Sequence, residues 1–514
     1  MSPAADSTEQ AGGLIARPTP PAEGPSHAPP PPAAELGRVA ARGAAVTLAG
    51  QGLRILLQLG SVVVLARLLS PRDYGLLAVG LVVVGVGEVV RDLGLSNAAI
   101  RSPRLTTAQR DGLFWINAAA GATLAAIAVA AAQPVADAFS EPELAPVVRL
   151  LAGTFLINGL AAQYRAGLVR ELRFTALASC DLFAQVCATV VAITAAAAGA
   201  GYWSLVAQQL TQSGVALAAV LAAAHWLPGR LQRGVGLRPF LRVGGGLTGT
   251  QILYYLGNNL DNLALGLWAG PTALGIYNRG YQLLMNPLNQ LRSPATTVAV
   301  PVLARLQDDL DRSAEYLRRS QLALGFTLVA GMALVAGAAE PLVDVMLGDR
   351  WHAVAPVLAL LAVAGSAQTL AFVGFWVYVS RGLSGALLRY TAVTLVLSAS
   401  CIGVGSCFGV NGVAAGYATA ALLEWPLSLW WLSRVTVIPV RQLVLGALRI
   451  TACASAAGTL CFLTTRLVAS WPSIGQLAAG ATAGLVVYGV AALVPVIRAD
   501  LAGVVAWGRQ MLHR

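Results

Sequence analysis

The sequence predicts an all-α polytopic membrane protein. Of its 514 residues, 57% are hydrophobic and only 11% are charged, which lies outside the usual range of soluble domains. Apolar stretches of about twenty or more residues recur along the chain. Each is long enough to cross roughly 30 Å of hydrocarbon as a helix. We therefore predict about fourteen transmembrane helices.

The first 43 residues come before any apolar stretch and are rich in proline, so we predict a disordered tail there. Glycine-containing breaks at residues 199–203 and 408–412 separate segments that would otherwise be continuous. The predicted segments are 44–69, 75–100, 113–132, 144–164, 174–199, 202–227, 240–267, 273–299, 317–339, 353–380, 387–408, 412–433, 443–465 and 474–497.

The arginines alternate with the predicted helices. The loops that follow even-numbered segments are rich in arginine, whereas the loops after odd-numbered segments contain only Arg72, Arg350 and Arg466. Cytoplasmic loops of membrane proteins carry an excess of basic residues. The pattern therefore predicts an even number of helices with both termini in the cytoplasm.

The chain also contains an internal repeat. The first outer turn reads LLSPRDYGLLAVG and the fourth reads LWAGPTALGIYNRG, so that Pro71 matches Pro271 and Gly75 matches Gly275. Proline does not readily continue a helix, and glycine tolerates a tight backbone. Each turn joins the first two helices of a six-helix unit, which indicates a parallel repeat about an axis along the membrane normal.

Several of these stretches resemble a known family. LARLLSPRDYGLLAVG, DLGLSNAAIR, LTTAQRDGLFWIN and LDNLALGLWAGPTALGIYNRGYQL are similar to Wzx-type polysaccharide flippases of the MOP superfamily, and especially to the WzxC-type branch. The resemblance implies two six-helix lobes in a pseudo-two-fold, MATE-like V. We expect a tail at 1–43, an N-lobe at 44–227, a C-lobe at 228–434, additional helices at 435–497 and a cytoplasmic tail at 498–514.

The resemblance also implies a function. It implies that undecaprenyl-pyrophosphate-linked oligosaccharide moves across the bacterial inner membrane by alternating access, for exopolysaccharide, capsule or O-antigen assembly. The implied partners are this lipid-linked oligosaccharide, membrane lipid, and the polysaccharide polymerase and export machinery. No cofactor, metal or nucleic-acid partner is expected, because the arginines lie between apolar runs and the histidines are scattered.

Charged residues inside the apolar segments are the candidate functional residues, because burying a charge in lipid costs at least about 2.5–3.5 kcal/mol. Arg54 lies about ten residues into the first segment and is the first choice for a pyrophosphate contact. Arg91 is the second choice, although Glu88, three residues earlier, would neutralise it if the two simply pair.

The second lobe offers a polar cluster near its first turn. This cluster either grips the cargo or, through Asp261 and Arg279, holds the hairpin together as an ion pair. We expect Arg292, at the far end of the same helix, to meet headgroups. The candidate substrate-binding residues are Arg54, Arg91, Asn258, Asn259, Asp261, Tyr277 and Arg279.

Intramembrane carboxylates are candidates for binding a coupling proton or sodium ion, with buried ion pairs as the alternative role. These carboxylates are Glu88, Asp92, Asp181 and Glu424.

Two other functions fit a polytopic protein. A polysaccharide polymerase or membrane glycosyltransferase would need a large extramembrane loop, and the loops here are short. The sequence also lacks the GxSxG and HExxH motifs, so we do not expect an enzyme. A cation-coupled multidrug exporter of the same superfamily would share the fold, but the arginines inside the lobes argue against a small apolar cavity.

Overall fold

The computed structural model describes residues 52–92, 95–101, 105–224, 226–230, 255, 257 and 259–512, with the side chains of 92, 97, 98, 101 and 505–512 excepted. Within these ranges the chain is almost entirely helical and contains no strand. The predicted all-α fold is therefore confirmed. The N-terminal tail at 1–43, the residue Asn258 and the side chain of Asp92 lie outside the described part.

The first half of the chain forms eight described helices. They are α1 (52–68), α2 (Pro71–Asp92), α3 (Leu95–Arg101), α4 (Thr107–Ala138), α5 (Leu144–Leu151), α6 (Gly153–Arg170), α7 (Phe174–Ala197) and α8 (Tyr202–Ala223).

The second half continues in the same way, with a short π-helical turn at Gly325–Val329. Its described helices are α9 (Leu260–Trp268), α10 (Gly270–Arg305), α11 (Leu310–Leu324), α12 (Ala330–Gly337), α13 (Ala339–Met346), α14 (Val354–Ser380), α15 (Ser384–Ser406), α16 (Gly409–Val435), α17 (Val440–Leu467), α18 (Ser473–Ala491) and α19 (Pro495–Leu512).

Every predicted segment overlaps one of these helices. Ten helical spans of the described residues are long and apolar enough to cross a membrane, which confirms a multi-pass membrane protein. Two more, α10 and α16, have 36 and 27 residues but are less apolar. The total of fourteen transmembrane helices stays a prediction.

The predicted breaks between paired helices occur where glycine was expected. Gly199 and Gly201 both have positive φ, of 82° and 54°, and the chain reverses there between α7 and α8. Glycine adopts this left-handed region without the steric cost that other residues meet. The pattern of glycine in an apolar run therefore correctly predicted this turn.

The C-terminal helices pack on the second half. Gly337 of α12 lies so close to α17 that an added Cβ would fall 2.4 Å from the Gly458 carbonyl oxygen. Residues 498–512, which the sequence analysis assigns to the C-terminal tail, form most of α19. Asp500 of this helix lies 3.1 Å from Arg449 and 3.5 Å from Arg318, and these contacts hold α19 against α11 and α17.

The two repeat turns meet each other. We call the end of the bundle that holds Pro71 and Pro271 the turn end, and the opposite end the arginine-rich end. A Cβ on Gly75 would overlap the carbonyl of Pro271, and a Cβ on Gly275 would overlap the carbonyl of Pro71. The matched residues of the repeat therefore form one reciprocal backbone contact between α2 and α10.

Further contacts close the turn end. The Trp351 indole donates its Nε1–H to the Ala66 carbonyl at 2.8 Å, and its ring lies edge-on to Tyr74 with the centroids 5.5 Å apart. The Arg67 guanidinium donates to the Val345 carbonyl at 2.8 Å. The first and second halves of the chain are thus joined at the turn end by packing and hydrogen bonds.

Candidate functional site

A cavity of about 180 Å³ lies between α2 and the beginning of α10, just below the closed turn end. One wall is apolar and comes from α2. The other wall is polar and comes from α9, α10 and the residues just before α9. The lining residues are Tyr74, Leu77, Ala78, Leu81, Val82, Tyr255, Asn259, Asn262, Asn278, Arg279 and Gln282.

Arg279 supplies the positive charge of this cavity. The residue is only 5% exposed, and its guanidinium carbon lies 3.3 Å from the centroid of the Tyr74 ring, which comes from the other half. Its Nε has no hydrogen-bond partner in the described part of the chain. A cation over an aromatic face gains about 0.5–2 kcal/mol, which does not neutralise the charge.

Four amide side chains form a hydrogen-bonded chain along the polar wall. Asn278 donates to Asn262 at 3.1 Å, and Asn262 donates to Asn259 at 3.1 Å. Gln282 donates to Asn278 at 3.5 Å. Amides both donate and accept hydrogen bonds, so this wall can pair with the hydroxyl groups of a sugar.

Tyr255 connects the polar wall to α2. Its hydroxyl lies 3.4 Å from the Leu81 carbonyl and 3.3 Å from the Val82 carbonyl, to which it donates. The contact lies on the arginine-rich side of Tyr74 and Arg279 along α2. The cavity is therefore bounded by contacts between the two halves on both sides.

Asp261 and Tyr277 lie behind the wall and do not line the cavity. The Tyr277 hydroxyl donates to Asp261 Oδ2 at 2.6 Å, and the Asn262 N–H donates to Asp261 Oδ1 at 2.8 Å. Both residues are essentially fully buried. Their role in this structure is to hold α9 against α10.

The expected ion pair between Asp261 and Arg279 is wrong. Arg279 faces Tyr74 across the cavity, whereas Asp261 accepts one hydrogen bond from the Tyr277 hydroxyl and one from the Asn262 N–H. Residues 277 and 279 are two positions apart on one helix and therefore point in different directions. Asp261 and Arg279 are at similar distances from the turn along the chain, but this similarity did not determine which residue of α10 contacts Asp261.

The predicted arginines of the first lobe lie elsewhere. Arg54 is exposed on α1 and does not line this cavity. Arg91 is buried and pairs with Glu88 at 2.8 Å, and Asn158 donates to the other oxygen of that carboxylate at 2.8 Å. The alternative in which Glu88 neutralises Arg91 therefore describes this structure.

The remaining carboxylates differ in their partners. Arg165 holds Asp181 through two hydrogen bonds, of 2.7 and 3.0 Å. Glu424 accepts a hydrogen bond from the Ser398 hydroxyl at 2.8 Å, and no arginine pairs with it among the described residues. Glu424 is the half-buried carboxylate of this set that has no cationic partner among the described residues.

Arg292 also differs from expectation. It is 4% exposed and donates to the Gly365 carbonyl and the Thr369 hydroxyl, each at 2.9 Å. It is buried within the second half of the chain and does not meet headgroups, because α10 runs on to Arg305 and carries the helix end past it.

The site residues predicted from the sequence did not include Tyr74, Tyr255 or Gln282. A signal for Gln282 was present, since Asn278 and Gln282 are four residues apart on one helix and so share a face. Tyr74 and Tyr255 had no such signal, because each reaches the site from a different element and the pairing of those elements is not encoded in spacing.

Comparisons with known proteins identify a family and several similar proteins. The family model described as "Polysaccharide biosynthesis protein" matches residues 64–356. The lipopolysaccharide biosynthesis protein WzxC of Escherichia coli (strain K12) is 27% identical over 311 residues, which span 59% of this chain and 62% of that protein. The match therefore spans less than two thirds of that relative's length.

Another relative covers more of the chain. The succinoglycan biosynthesis transport protein ExoT of Rhizobium meliloti (strain 1021) is 25% identical over 390 residues, which span 75% of this chain and 76% of that protein.

Among solved structures, the lipid II flippase MurJ in an inward closed conformation has a TM-score of 0.67 at 12% identity, covering 87% of this chain and 98% of that one. An inward-facing multidrug resistance MATE transporter of the MOP superfamily has a TM-score of 0.57 at 14% identity, covering 77% and 94%. These likenesses establish the MATE-like fold.

Proposed function

The chain belongs to the polysaccharide biosynthesis protein family, and from this membership we propose that it is a flippase for undecaprenyl-pyrophosphate-linked oligosaccharides. It carries the repeat unit across the bacterial inner membrane by alternating access and catalyses no reaction itself. The product serves exopolysaccharide, capsule or O-antigen assembly, and a polysaccharide polymerase and export machinery take it up.

The observation that carries the proposal is the buried Arg279 in a cavity between the two halves. No carboxylate contacts this guanidinium among the described residues, and its described partner is a ring. A pyrophosphate supplies the missing negative charge and matches the planar guanidinium with two parallel hydrogen bonds. The amides beside it are suited to the first sugars of the glycan.

The three chemical parts of the cargo occupy different places. The pyrophosphate binds Arg279, the glycan extends along the polar wall toward the arginine-rich end once the Tyr255 contact has opened, and the polyprenyl tail stays in lipid. The arginine-rich end is cytoplasmic in this proposal, as the distribution of basic loops predicts, so both termini are cytoplasmic. Rocking of a lobe at 44–227 against a lobe at 228–434 then opens the turn end.

The roles of the other predicted site residues follow from their positions. Asn259 binds cargo directly, and Asp261 and Tyr277 position the polar wall. Arg54, exposed on α1 about 14 residues from Leu68 and hence roughly 21 Å from the turn end, makes an early contact with the pyrophosphate. Glu424 is the coupling carboxylate, since among the described residues its bonded partner is a neutral hydroxyl.

Depletion of the protein in its host tests the function. We expect undecaprenyl-linked oligosaccharide to accumulate in the inner leaflet, where it stays protected from glycan-modifying reagents added outside spheroplasts. Surface polysaccharide should fall in parallel. Normal surface polysaccharide with no accumulated intermediate would contradict the proposal, and accumulation of unpolymerised repeat units in the outer leaflet would identify a polymerase instead.

Complementation then tests the site. Arg279→Ala should abolish export at normal protein level, and Arg279→Lys should restore only part of it because lysine cannot form the bidentate contact. Arg312→Ala is the matched control, since the Arg312 side chain is 80% exposed at the start of α11. Full export by the Arg279→Ala variant would remove this residue from the site.

A further inference from the structure

A second polar cavity, of about 160 Å³, lies at the arginine-rich end of the first lobe, where α4 begins and α6 ends. We call it the α4 pocket. It contains part of the LTTAQRDGLFWIN stretch, which the central cavity does not use. Its lining residues are Ala99, Leu105, Thr107, Arg110, Gln163, Ala166, Gly167, Arg170 and Glu171.

The beginning of α4 forms one side of the pocket. Thr106 accepts a hydrogen bond from the Gln109 N–H, and the Gln109 side chain accepts one from the Thr106 N–H. A helix leaves its first four N–H groups without intrahelical partners. This capping box uses two of them, so the N–H groups of Thr107 and Ala108 lie outside it, at the positive end of a 32-residue helix.

Gln163 is a buried residue of the pocket lining. It is 2% exposed, and its Nε2 has no hydrogen-bond partner in the described part of the chain. Leaving a buried amide donor without a hydrogen bond costs free energy, and most buried polar groups in proteins are hydrogen-bonded. An amide donor buried in a polar pocket without a partner indicates that the pocket is built for an acceptor.

Two arginines supply the charge. The Arg110 guanidinium lies 4.1 Å from the Trp226 ring centroid, and its Nε has no partner among the described residues. Arg170 donates to the Ala99 carbonyl at 2.6 Å. The carboxylate of the pocket, Glu171, lies 3.5 Å from Arg173, which is outside the lining. Two arginines and one carboxylate line the pocket, so the formal charge of the lining is positive.

We propose that the α4 pocket binds a phosphate group. Helix N–H donors, arginine and an amide donor are the groups that proteins commonly direct at phosphate oxygens. The cavity volume of about 160 Å³ accommodates one phosphate and its remaining hydration. The site is separate from the central cavity, so it is a second anion site on this chain.

Two sources can supply the phosphate at this depth. Thr107 begins one helix and Arg170 ends another, so the pocket lies at the level of the lipid headgroups. The phosphate belongs either to the headgroup of an anionic phospholipid or to a soluble phosphate compound. The chemistry of recognition is the same for both, and the experiment separates them.

The test uses the full-length protein purified in a phosphate-free detergent. One arm measures binding of inorganic phosphate by calorimetry, and the other counts phosphatidylglycerol molecules retained in native mass spectrometry. We expect one site, weakened about ten-fold or more in Arg110→Gln and in Gln163→Leu, since each change removes a charge-assisted or buried hydrogen bond. Arg389→Gln, an exposed arginine at the same end, should bind as the unaltered protein does.

The Gln163→Leu variant distinguishes loss of binding from loss of folding. It keeps the side-chain volume and removes an unpaired donor, so the melting temperature should not fall. Binding in the lipid arm alone identifies a headgroup, and binding of inorganic phosphate alone identifies a soluble ligand. No binding in either arm overturns the proposal, as does binding that both pocket variants retain at full strength. Transport is not measured, so the flippase proposal stands or falls separately.

Discussion

At the scale of single residues, the contact between Arg279 and Tyr74 joins the two halves of the chain at the central cavity. The ring holds the guanidinium without neutralising it. A phosphate that draws the Arg279 guanidinium toward itself would break the contact with the ring, because a charge-assisted bidentate hydrogen bond is stronger than a cation–π contact. Cargo binding and release of the turn end would then be linked through one side chain.

Substitutions of Tyr74 test this link. Tyr74→Phe keeps the aromatic face and should export at the normal rate, whereas Tyr74→Ala should weaken the closed turn end by about 0.5–2 kcal/mol and lower export several-fold. The measurement is surface polysaccharide at matched protein level. Loss of export in the phenylalanine variant would show that the hydroxyl, and not the ring, matters.

The hydrogen bond between Tyr277 and Asp261 should contribute to stability. Tyr277→Phe removes a donor from a buried carboxylate, which costs about 1–3 kcal/mol, so the melting temperature of the purified protein should fall. Tyr488→Phe is the matched control, because the Tyr488 hydroxyl has no described hydrogen-bond partner. An equal effect of the two variants would mean that the Asp261 contact contributes nothing.

At the scale of elements, the reciprocal contact between α2 and α10 depends on two glycines. Gly75→Ala and Gly275→Ala each place a methyl group against a backbone carbonyl of the other half, which cannot move aside as a side chain would. Overpacking costs about 1–3 kcal/mol. We expect both variants to have lower melting temperatures and to expose the turn end more readily.

Gly214→Ala in α8 is the control for this pair. Nothing lies within 4 Å of the added methyl group, and alanine is favoured over glycine inside a helix by up to about 1 kcal/mol. Its melting temperature should therefore stay level or rise. A fall of the same size in all three variants would remove the reciprocal contact as the explanation.

The sequence predicted elements better than contacts. Proline and glycine placed the turns at Pro71, Pro271 and Gly199, because these residues restrict or extend the backbone locally. The predicted partner of Asp261 was wrong, because the residue that meets Asp261 depends on the rotation of α10 about its own axis. The prediction that Arg292 meets headgroups was wrong for a similar reason. The depth of Arg292 depends on where α10 ends and on what packs over it, and local sequence does not reveal either.

At the scale of the whole molecule, the structure is closed at the turn end by contacts that come from both halves. Alternating access requires these contacts to break in each cycle. A bifunctional maleimide that joins Arg67→Cys to Val345→Cys should therefore stop export, and a cleavable version should restore it after reduction. The cysteines to be replaced beforehand are Cys180, Cys187, Cys401, Cys407, Cys453 and Cys461.

A cross-link within the C-terminal part of the chain is the control. Arg466 and Glu340 lie 2.6 Å apart at the turn end, and joining Arg466→Cys to Glu340→Cys leaves the first half free to move. Export should continue in this variant. Continued export with the Arg67–Val345 cross-link complete would contradict a cycle in which the turn end opens.

The distribution of charge predicted which loops share an end of the bundle, because basic loops avoid translocation. The distribution of charge could not predict which end of the bundle is closed. The closed end depends on the free-energy difference between two ways of packing the same residues. The cavity was predicted only on its polar side. Tyr74 and Tyr255 complete it through contacts between halves that are far apart in sequence.

The repeat also shows how the two walls of the cavity have diverged. With Pro71 set against Pro271, Ala78 and Val82 occupy the positions of Asn278 and Gln282, and all four line the cavity. Val79 corresponds to Arg279 in the same way. A symmetric pair of six-helix chains would present two like-charged walls that repel each other. Because only one wall is charged, the halves can close face to face without cargo, which in the proposed cycle lets an empty carrier return.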